Sequence, residues 1–280
     1  MAATGGTVVS STMGQFARNT LGVLLACSTL LAPAPSLAAK PAKAVQFSFE
    51  VRVRDSRIGG GKLLIGPRSG EGRKANRLLQ LTGQTEALLG AIYQGVLLAH
   101  SWVDGSWLPQ VARWDSELAG RKSFTQALLA GGRLIAQFER QGRGTIPQDR
   151  MVTGILIDPV SFVPWLMQQK PKAGQTWTTV MFTGPDVCQF DISAKAVESV
   201  TVFGKALDAL RLEAVFSKCR MQRSVTIWLA TRDHSPQRLV LHDRLLGDIL
   251  FDLEAVEQVP LPEVPSAPKE PLVSRLGSQP

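Results

Sequence analysis

Residues 177–256 read WTTVMFTGPDVCQFDISAKAVESVTVFGKALDALRLEAVFSKCRMQRSVTIWLATRDHSPQRLVLHDRLLGDILFDLEAV. Short apolar–polar alternations are separated by turn residues: Gly184-Pro185-Asp186, Gly204-Lys205, Ser217-Lys218, the stretch 233–236, and Gly247. A period of two gives a strand one buried and one wet face. Glycine, proline and aspartate between such runs supply the reversals. The pattern predicts strands at 177–182, 187–196, 206–216, 221–230, 237–243 and 248–256. The spacers are too short for the crossovers of parallel pairing, so neighbours are expected to be antiparallel.

The first half carries the same signal. In 45–53, Val45, Phe47, Phe49, Val51 and Val53 alternate with Gln46, Ser48, Glu50 and Arg52. Strands are expected again at 96–103 and 107–114 around Asp104-Gly105, and at 124–130 and 134–138 around Gly131-Gly132. Thr85 reads as the cap of a short helix over 85–93. A second helix is expected at 158–168, because Asp158 followed by Pro159 is the cap-plus-proline start of a helix. Phe162, Trp165, Leu166 and Gln169 would share one of its faces, and Pro164 should keep it short.

The stretch 52–77 is rich in cations: Arg52, Arg54, Arg57, Lys62, Arg68, Arg73, Lys74 and Arg77 against Asp55 and Glu71. With Gly59-Gly60-Gly61 and Pro67-Arg68-Ser69-Gly70 inside it, it reads as a solvated loop. The same eight cations are a candidate contact for an anionic surface such as lipid headgroups. Lys62 is followed by Leu63, which removes a phosphate-binding loop of the G-x-x-x-x-G-K-[ST] kind.

The ends differ in character. Residues 1–38 hold a single basic residue, Arg18, no acidic one, and the apolar run LGVLLACSTLLA at 21–32. Pro33 and Pro35 follow, and then Ser36-Leu37-Ala38. This is the layout of a secretory signal cleaved after Ala38. Cys27 in an approximate lipobox is the alternative, a lipoprotein. The remaining chain would carry 30 − 23 = +7 and sit in the periplasm, where lipid or other envelope components replace nucleic acid as partners. Residues 258–280 are proline-rich and read as a disordered tail.

Cys188 and Cys219 are then the two cysteines of an oxidising compartment. Both fall on apolar registers, Cys219 with Met221, Val225 and Ile227. If 206–216 lies between the two cysteine-bearing strands, they stand two strand spacings apart, about 9–10 Å, whereas a disulfide wants Cα atoms within about 7 Å. The pair is therefore open between two readings: bridged, with the simple meander bent or wrong, or free core thiols.

No catalytic or metal-binding constellation emerges, and no cofactor is expected. His100, His234 and His242 have no ligand-like spacing, and there is no G-x-S-x-G elbow. The adjacent Asp233-His234-Ser235 does not make a triad by adjacency. Twelve aspartates and eleven glutamates are scattered too evenly to nominate an acid/base pair.

Several segments recur in a known order: Asp158-Pro159-Val160-Ser161 with its helix, Ala173-Gly174-Gln175-Thr176-Trp177, the stretch FGKALDALRL at 203–212, Ile227-Trp228-Leu229-Ala230, Pro236-Gln237-Arg238-Leu239, and Ser106-Trp107-Leu108-Pro109. In order and spacing they resemble a family of bacterial exported proteins, domain of unknown function 3108, over about residues 45–256. The resemblance implies a β-rich envelope protein and carries over no activity and no catalytic residue.

The expected architecture is mainly β, a curved antiparallel sheet or an open β-barrel or sandwich with one or two short helices, as a single domain over 39–257. Curled antiparallel sheets often enclose an apolar hollow. The leading functional expectation is non-enzymatic binding of an apolar or amphipathic envelope component. A scaffold acting through envelope-protein contacts comes second, and an enzyme with a dispersed site last.

Overall fold

A computed structural model of the chain describes residues 43–54, 56–69, 76–85, 95–202, 204–219, 223–244 and 247–263. The expected signal segment with Cys27, residues 86–93 of the first expected helix, Arg73, Lys74 and the tail beyond 263 lie outside these residues.

Fifteen strands form one sheet: β1 (Lys43–Val53), β2 (Ser56–Ser69), β3 (Asn76–Thr85), β4 (Gly95–Val103), β5 (Pro109–Leu118), β6 (Arg121–Ala130), β7 (Arg133–Arg140), β8 (Gly144–Met151), β9 (Leu156–Ile157), β10 (Thr176–Phe182), β11 (Val187–Val202), β12 (Lys205–Ser217), β13 (Ser224–Ala230), β14 (Pro236–Asp243) and β15 (Gly247–Pro260). The single helix among the described residues, α1 (Pro159–Gln169), joins β9 to β10. The spatial order is β8-β7-β6-β5-β4-β3-β2-β1-β15-β14-β13-β12-β11-β10-β9. Every neighbour is thus a neighbour in sequence except β15, which returns beside β1 from Lys43↔Pro260 to Val53↔Ile249. All ladders are antiparallel except the short β9–β10 pair. The architecture is a single open curved antiparallel sheet whose edges are β8 and β9.

Three expectations change. The described residues of the stretch 52–77 are mainly strand and not loop: β2 and the start of β3 run through them, and Gly59 to Gly61 are ladder residues paired with Val51, Glu50 and Phe49. A run of glycines hid the alternation, because a residue without a side chain adds nothing to a hydrophobic period. The region 144–151, which showed no strand pattern, is the edge strand β8. It is almost wholly exposed and interrupted by Pro147, a residue that discourages further pairing at an edge. Finally, Gln258, Val259 and Pro260, assigned to the tail, pair with Val45, Ala44 and Lys43.

Helix α1 begins as its sequence demands. Asp158 Oδ1 accepts from the backbone N–H of Val160 and Ser161, and Ser161 Oγ accepts from the Asp158 N–H, a complete capping box. The expected one-sided face is not what the helix presents. Val160 to Leu166 are all buried, as they must be for a helix apolar all round. It lies in the core cluster with Phe47 and Phe49 of β1, Leu79 of β3, Phe190 and Ile192 of β11, and Leu212 and Ile227 of β12 and β13. Phe190 packs edge-on to Phe162 at 4.8 Å and against Phe216 at 4.4 Å, each pair adding about 0.5–1.5 kcal/mol beyond its buried area. A second cluster forms where the sheet curls back on itself: Ala112, Ala127, Leu134 and Ala136 of β5–β7 cover Leu156 and Phe182 of β9 and β10. Gln148 of β8 adds a polar stitch, its Nε2 donating to Gly184 O at 2.8 Å and Pro185 O at 3.1 Å.

Candidate binding cavity

Residues directly opposite in an antiparallel ladder point to the same face, so the inner wall can be read in rows. One row is Phe47–Leu63–Leu81–Ala99–Trp114. Two residues further towards the β1–β2 turn the row is Phe49–Gly61–Gly83–Leu97–Ser116, and beyond it lie Val51–Gly59–Thr85 and Gly95–Leu118, joined by the Gly95 N–H donating to Thr85 Oγ1. In the other direction lies Ile65–Leu79–Ser101–Ala112, where Leu79 and Ala112 are fully buried. Inward side chains therefore shrink towards one end of the curled sheet. That end is hollow and the other is packed.

The hollow is a cavity of about 680 Å³. Its wall is the two glycine-bearing rows. Its floor is Pro159, Val160, Phe162 and Val163 of α1, and its far side is Phe190, Phe216, Val225, Leu239, Leu241 and Phe251 of β11–β15. This size and lining are those of sites that take small apolar or amphipathic molecules. Polar groups gather at the mouth. Arg223 pairs with Asp243 at 2.9 Å. Glu117 is 3.9 Å from Lys122, and Ser116 and Ser123 share a hydrogen bond of 2.7 Å. A second hollow of about 730 Å³, lined by residues of both signs including Glu117, Lys122, Glu139 and Arg140, lies beside the β5–β6 and β7–β8 turns. Its mixed charge does not select an apolar guest.

Cys188 and Cys219 form a disulfide at this hollow end, with Cα atoms 5.0 Å apart. The meander and the bridge coexist. Cys219 is not in β13, which starts at Ser224. It follows the end of β12, whose Ser217 lies opposite Gln189 of β11. The two cysteines therefore belong to adjacent strand ends, and the separation of two strand spacings never arises.

Beneath the cavity, the Asp158 carboxylate is fully buried. Its Oδ2 accepts from Ser101 Oγ of β4 at 2.7 Å, in addition to the two helix N–H groups. Burial pushes this carboxyl above the ordinary aspartate range, against the pull of those hydrogen bonds. The group ties α1 to the sheet and does not line the cavity.

The candidate anionic-surface residues are divided by the fold. Arg52, Arg54 and Arg57 lie at the hollow end, and Arg68 and Arg77 at the packed end, with roughly 35 Å of β2 between Arg57 and Arg68. Lys62 lies between, on the outer face beside Ser48 and Thr82. Arg52 pairs with Glu50 at 2.6 Å, holding that carboxyl below its usual range, and Arg57 reaches Glu254 at 3.2 Å. The Arg77 guanidinium lies 4.3 Å from the Trp107 ring centroid and donates to Gly66 O. His100 of β4 is buried, and burial lowers its pKa. His242 bridges Thr226 and Asp248, and His234 holds a left-handed turn position at φ 57°. Among the described residues no group of three or more His, Cys, Asp or Glu is placed to hold a metal ion.

The cavity wall is what sequence reading missed. Gly59 and Gly61 read as turn or loop residues in the sequence, and no element is expected at Gly83. The available signal was that Gly59 and Gly61 continue the odd-numbered inward positions towards Leu63.

No family model and no curated protein matches the chain. Among solved structures, it is similar to a β-barrel-like protein of domain of unknown function 1849 from Brucella abortus. The identity is 10%, covering 79% of this chain and 100% of that one, with a TM-score of 0.52. A protein of Bacteroides fragilis with a YmcC-like fold aligns at 7% identity over 76% of this chain and 95% of its own, with a TM-score of 0.31. The first likeness establishes a shared β-barrel-like fold.

Proposed function

We propose that this chain is a non-enzymatic exported protein that holds the apolar part of an amphipathic cell-envelope component in the cavity between β2–β4 and α1. The observation that carries the reading is the cavity itself. It is about 680 Å³, lined mainly by glycine, aliphatic and aromatic positions and floored by a buried helix, with Glu117 and Arg223 the charged residues of its lining. A ligand's apolar tail gains roughly 25 cal/mol for each Å² removed from water. Its polar head can stay hydrated beside Arg223 and Glu117. The Cys188–Cys219 disulfide suits an oxidising compartment, which supports export; a signal at 1–38 cleaved after Ala38 is part of the proposal. Membership of domain of unknown function 3108 belongs to the same reading. At the hollow rim, Arg54 in the β1–β2 turn would face an anionic surface.

The test is mild purification of the full chain from an envelope fraction, then native mass spectrometry and extraction of anything bound. An amphiphile at near-unit stoichiometry is expected, together with a mature N-terminus at Ala39. A ligand-free protein that also takes up no amphiphile from an envelope lipid extract overturns the reading.

A further inference from the structure

The glycines of β2 and β3 are not equivalent. A Cβ on Gly59 would collide with Gln84 O, and one on Gly66 would lie 2.9 Å from Leu78 O. These two glycines are required because one backbone passes close to another as the sheet bends. Gly61 and Gly83 carry no such requirement. A Cβ on Gly61 would meet Thr82 O at 3.6 Å, and one on Gly83 would meet Leu97 Cβ at 3.8 Å, both ordinary contacts. Neither residue has a left-handed φ. Glycine in a strand interior sacrifices backbone entropy and packing, about 0.5–1 kcal/mol relative to alanine. Two adjacent glycines, paired across the ladder, facing inward and excused by neither sterics nor φ, are thus unexplained by folding. They are explained by the space they leave.

We infer that Gly61 and Gly83 are the specificity-determining residues of the cavity, and that the lane they leave takes the unbranched aliphatic chain of the bound amphiphile. This deepens the proposed function and rests on it. The lane is flanked by Phe49 and Leu97 in the same row and floored by Leu63 and Leu81 in the next. Its wall is bare backbone whose N–H and C=O groups are already paired in the ladders, so it offers dispersion contact without unpaired polar groups. Its depth is that of one missing side chain, the thickness of a single polymethylene chain. Towards the mouth it opens past Gly59 and Gly95, where Thr85 and Ser116 provide hydroxyls near a head group.

The experiment titrates the purified full-length protein with cis-parinaric acid, a fluorescent straight-chain fatty acid, using palmitate as competitor. Four proteins are compared: wild type, Gly60→Val, Gly61→Val and Gly83→Val. Gly60 is the control: its backbone borders the cavity, but it pairs with Glu50, so a side chain added there would point to the outer face, and its Cβ would meet Phe49 O at an ordinary 3.5 Å. Gly61→Val and Gly83→Val are each expected to weaken binding roughly tenfold or more, and Gly60→Val to stay within about twofold of wild type. All three should melt at or above the wild-type temperature, since a β-branched residue suits a strand.

Unchanged binding in the inward variants overturns the inference and leaves the cavity reading standing. So does an equal loss at Gly60, which would indicate a backbone effect. A lower melting temperature in the inward variants would show that the lane is not open, and the smaller Gly61→Ala and Gly83→Ala must then also melt early. A wild type that binds no probe overturns the proposed function itself.

Discussion

The two ends of the curled sheet share one ladder, one alternation and one helix, yet one end is solid and the other hollow. At the solid end the inward rows carry Leu79 and Val103, and β11 and β12 add Val200, Val202 and Leu210. At the hollow end the same strands carry Gly59, Gly61, Gly83, Gly95 and Ser116. Curvature alone therefore does not make a cavity, because the same curled strands run through both ends. Side-chain volume at inward positions decides it, and the helix floor separates the two regimes.

The sharpest way to break this comparison is to remove the same atoms from each end. Leu212 is fully buried in the packed core, whereas Leu241 already faces the cavity. Leu212→Ala is expected to cost about 4 kcal/mol, the transfer term plus a new void. Leu241→Ala creates no new void and should cost about 1 kcal/mol. Urea unfolding of the two variants measures the difference. Equal costs would mean that the hollow end is packed in solution.

The disulfide holds the hollow rim, and its removal comes next in size. It closes a loop of 31 residues, and Cys188→Ser with Cys219→Ser should lower stability by about 3 kcal/mol through the freed unfolded chain. Unfolding with and without reductant gives the figure. Hydrogen exchange should rise at the start of β11 and the end of β12 while α1 stays protected. Loss of protection across the packed end would join the two ends into one cooperative unit.

Where sequence reading succeeded and failed follows the same division. Strands β10, β12, β13 and β14 were legible to within three residues at their ends, because large alternating side chains report which face is buried; β11 runs six residues beyond the expected end, to Val202, past a register shift between Ala194 and Val197 that breaks the alternation, and β15 runs four further, to Pro260. Helix α1 was legible from Asp158 and Pro159 alone, a local capping requirement. Strands β2 and β3 were not, because Gly59-Gly60-Gly61 and Gly83 erase the hydrophobic period at the positions that hollow the sheet. The property that makes the cavity thus made its wall unreadable. The disulfide turned on where strands end: Cys219 lies beyond Ser217, the last residue of β12, and before Ser224, the first of β13, a difference inside the uncertainty of a boundary.

Asp158 lies at the border between the two ends and gives a pH-dependent test. Asp158→Ala leaves Val160 N–H, Ser161 N–H and the Ser101 hydroxyl without their acceptor, and should cost about 2–3 kcal/mol. Because the folded carboxyl titrates above its unfolded range, protonation favours the fold. The stability the group contributes is fully present below the unfolded value of about 4 and is lost as pH rises through the higher folded one. Relative to Asp158→Asn, the wild type should be at its best near pH 4 and lose ground towards neutrality. The opposite slope in urea midpoints would show the hydrogen bonds outweighing burial.

The smallest expected effect separates two uses of positive charge. Arg77 belonged to the basic stretch that suggested an anionic surface, but it lies at the packed end with its guanidinium over Trp107 and its Nη1 on Gly66 O. Burial of that guanidinium lowers its pKa, which fits a side chain used for packing. A cation over an aromatic face is worth about 0.5–1 kcal/mol where partly exposed. Arg77→Gln should therefore cost about that much in stability and leave sedimentation with anionic vesicles unchanged. Arg54, in the turn at the hollow rim, should show the reverse: Arg54→Gln leaves the unfolding midpoint in place and reduces sedimentation with anionic vesicles, most at low salt. If Arg77 governs vesicle association and Arg54 does not, the packed end faces the lipid and the cavity opens away from it.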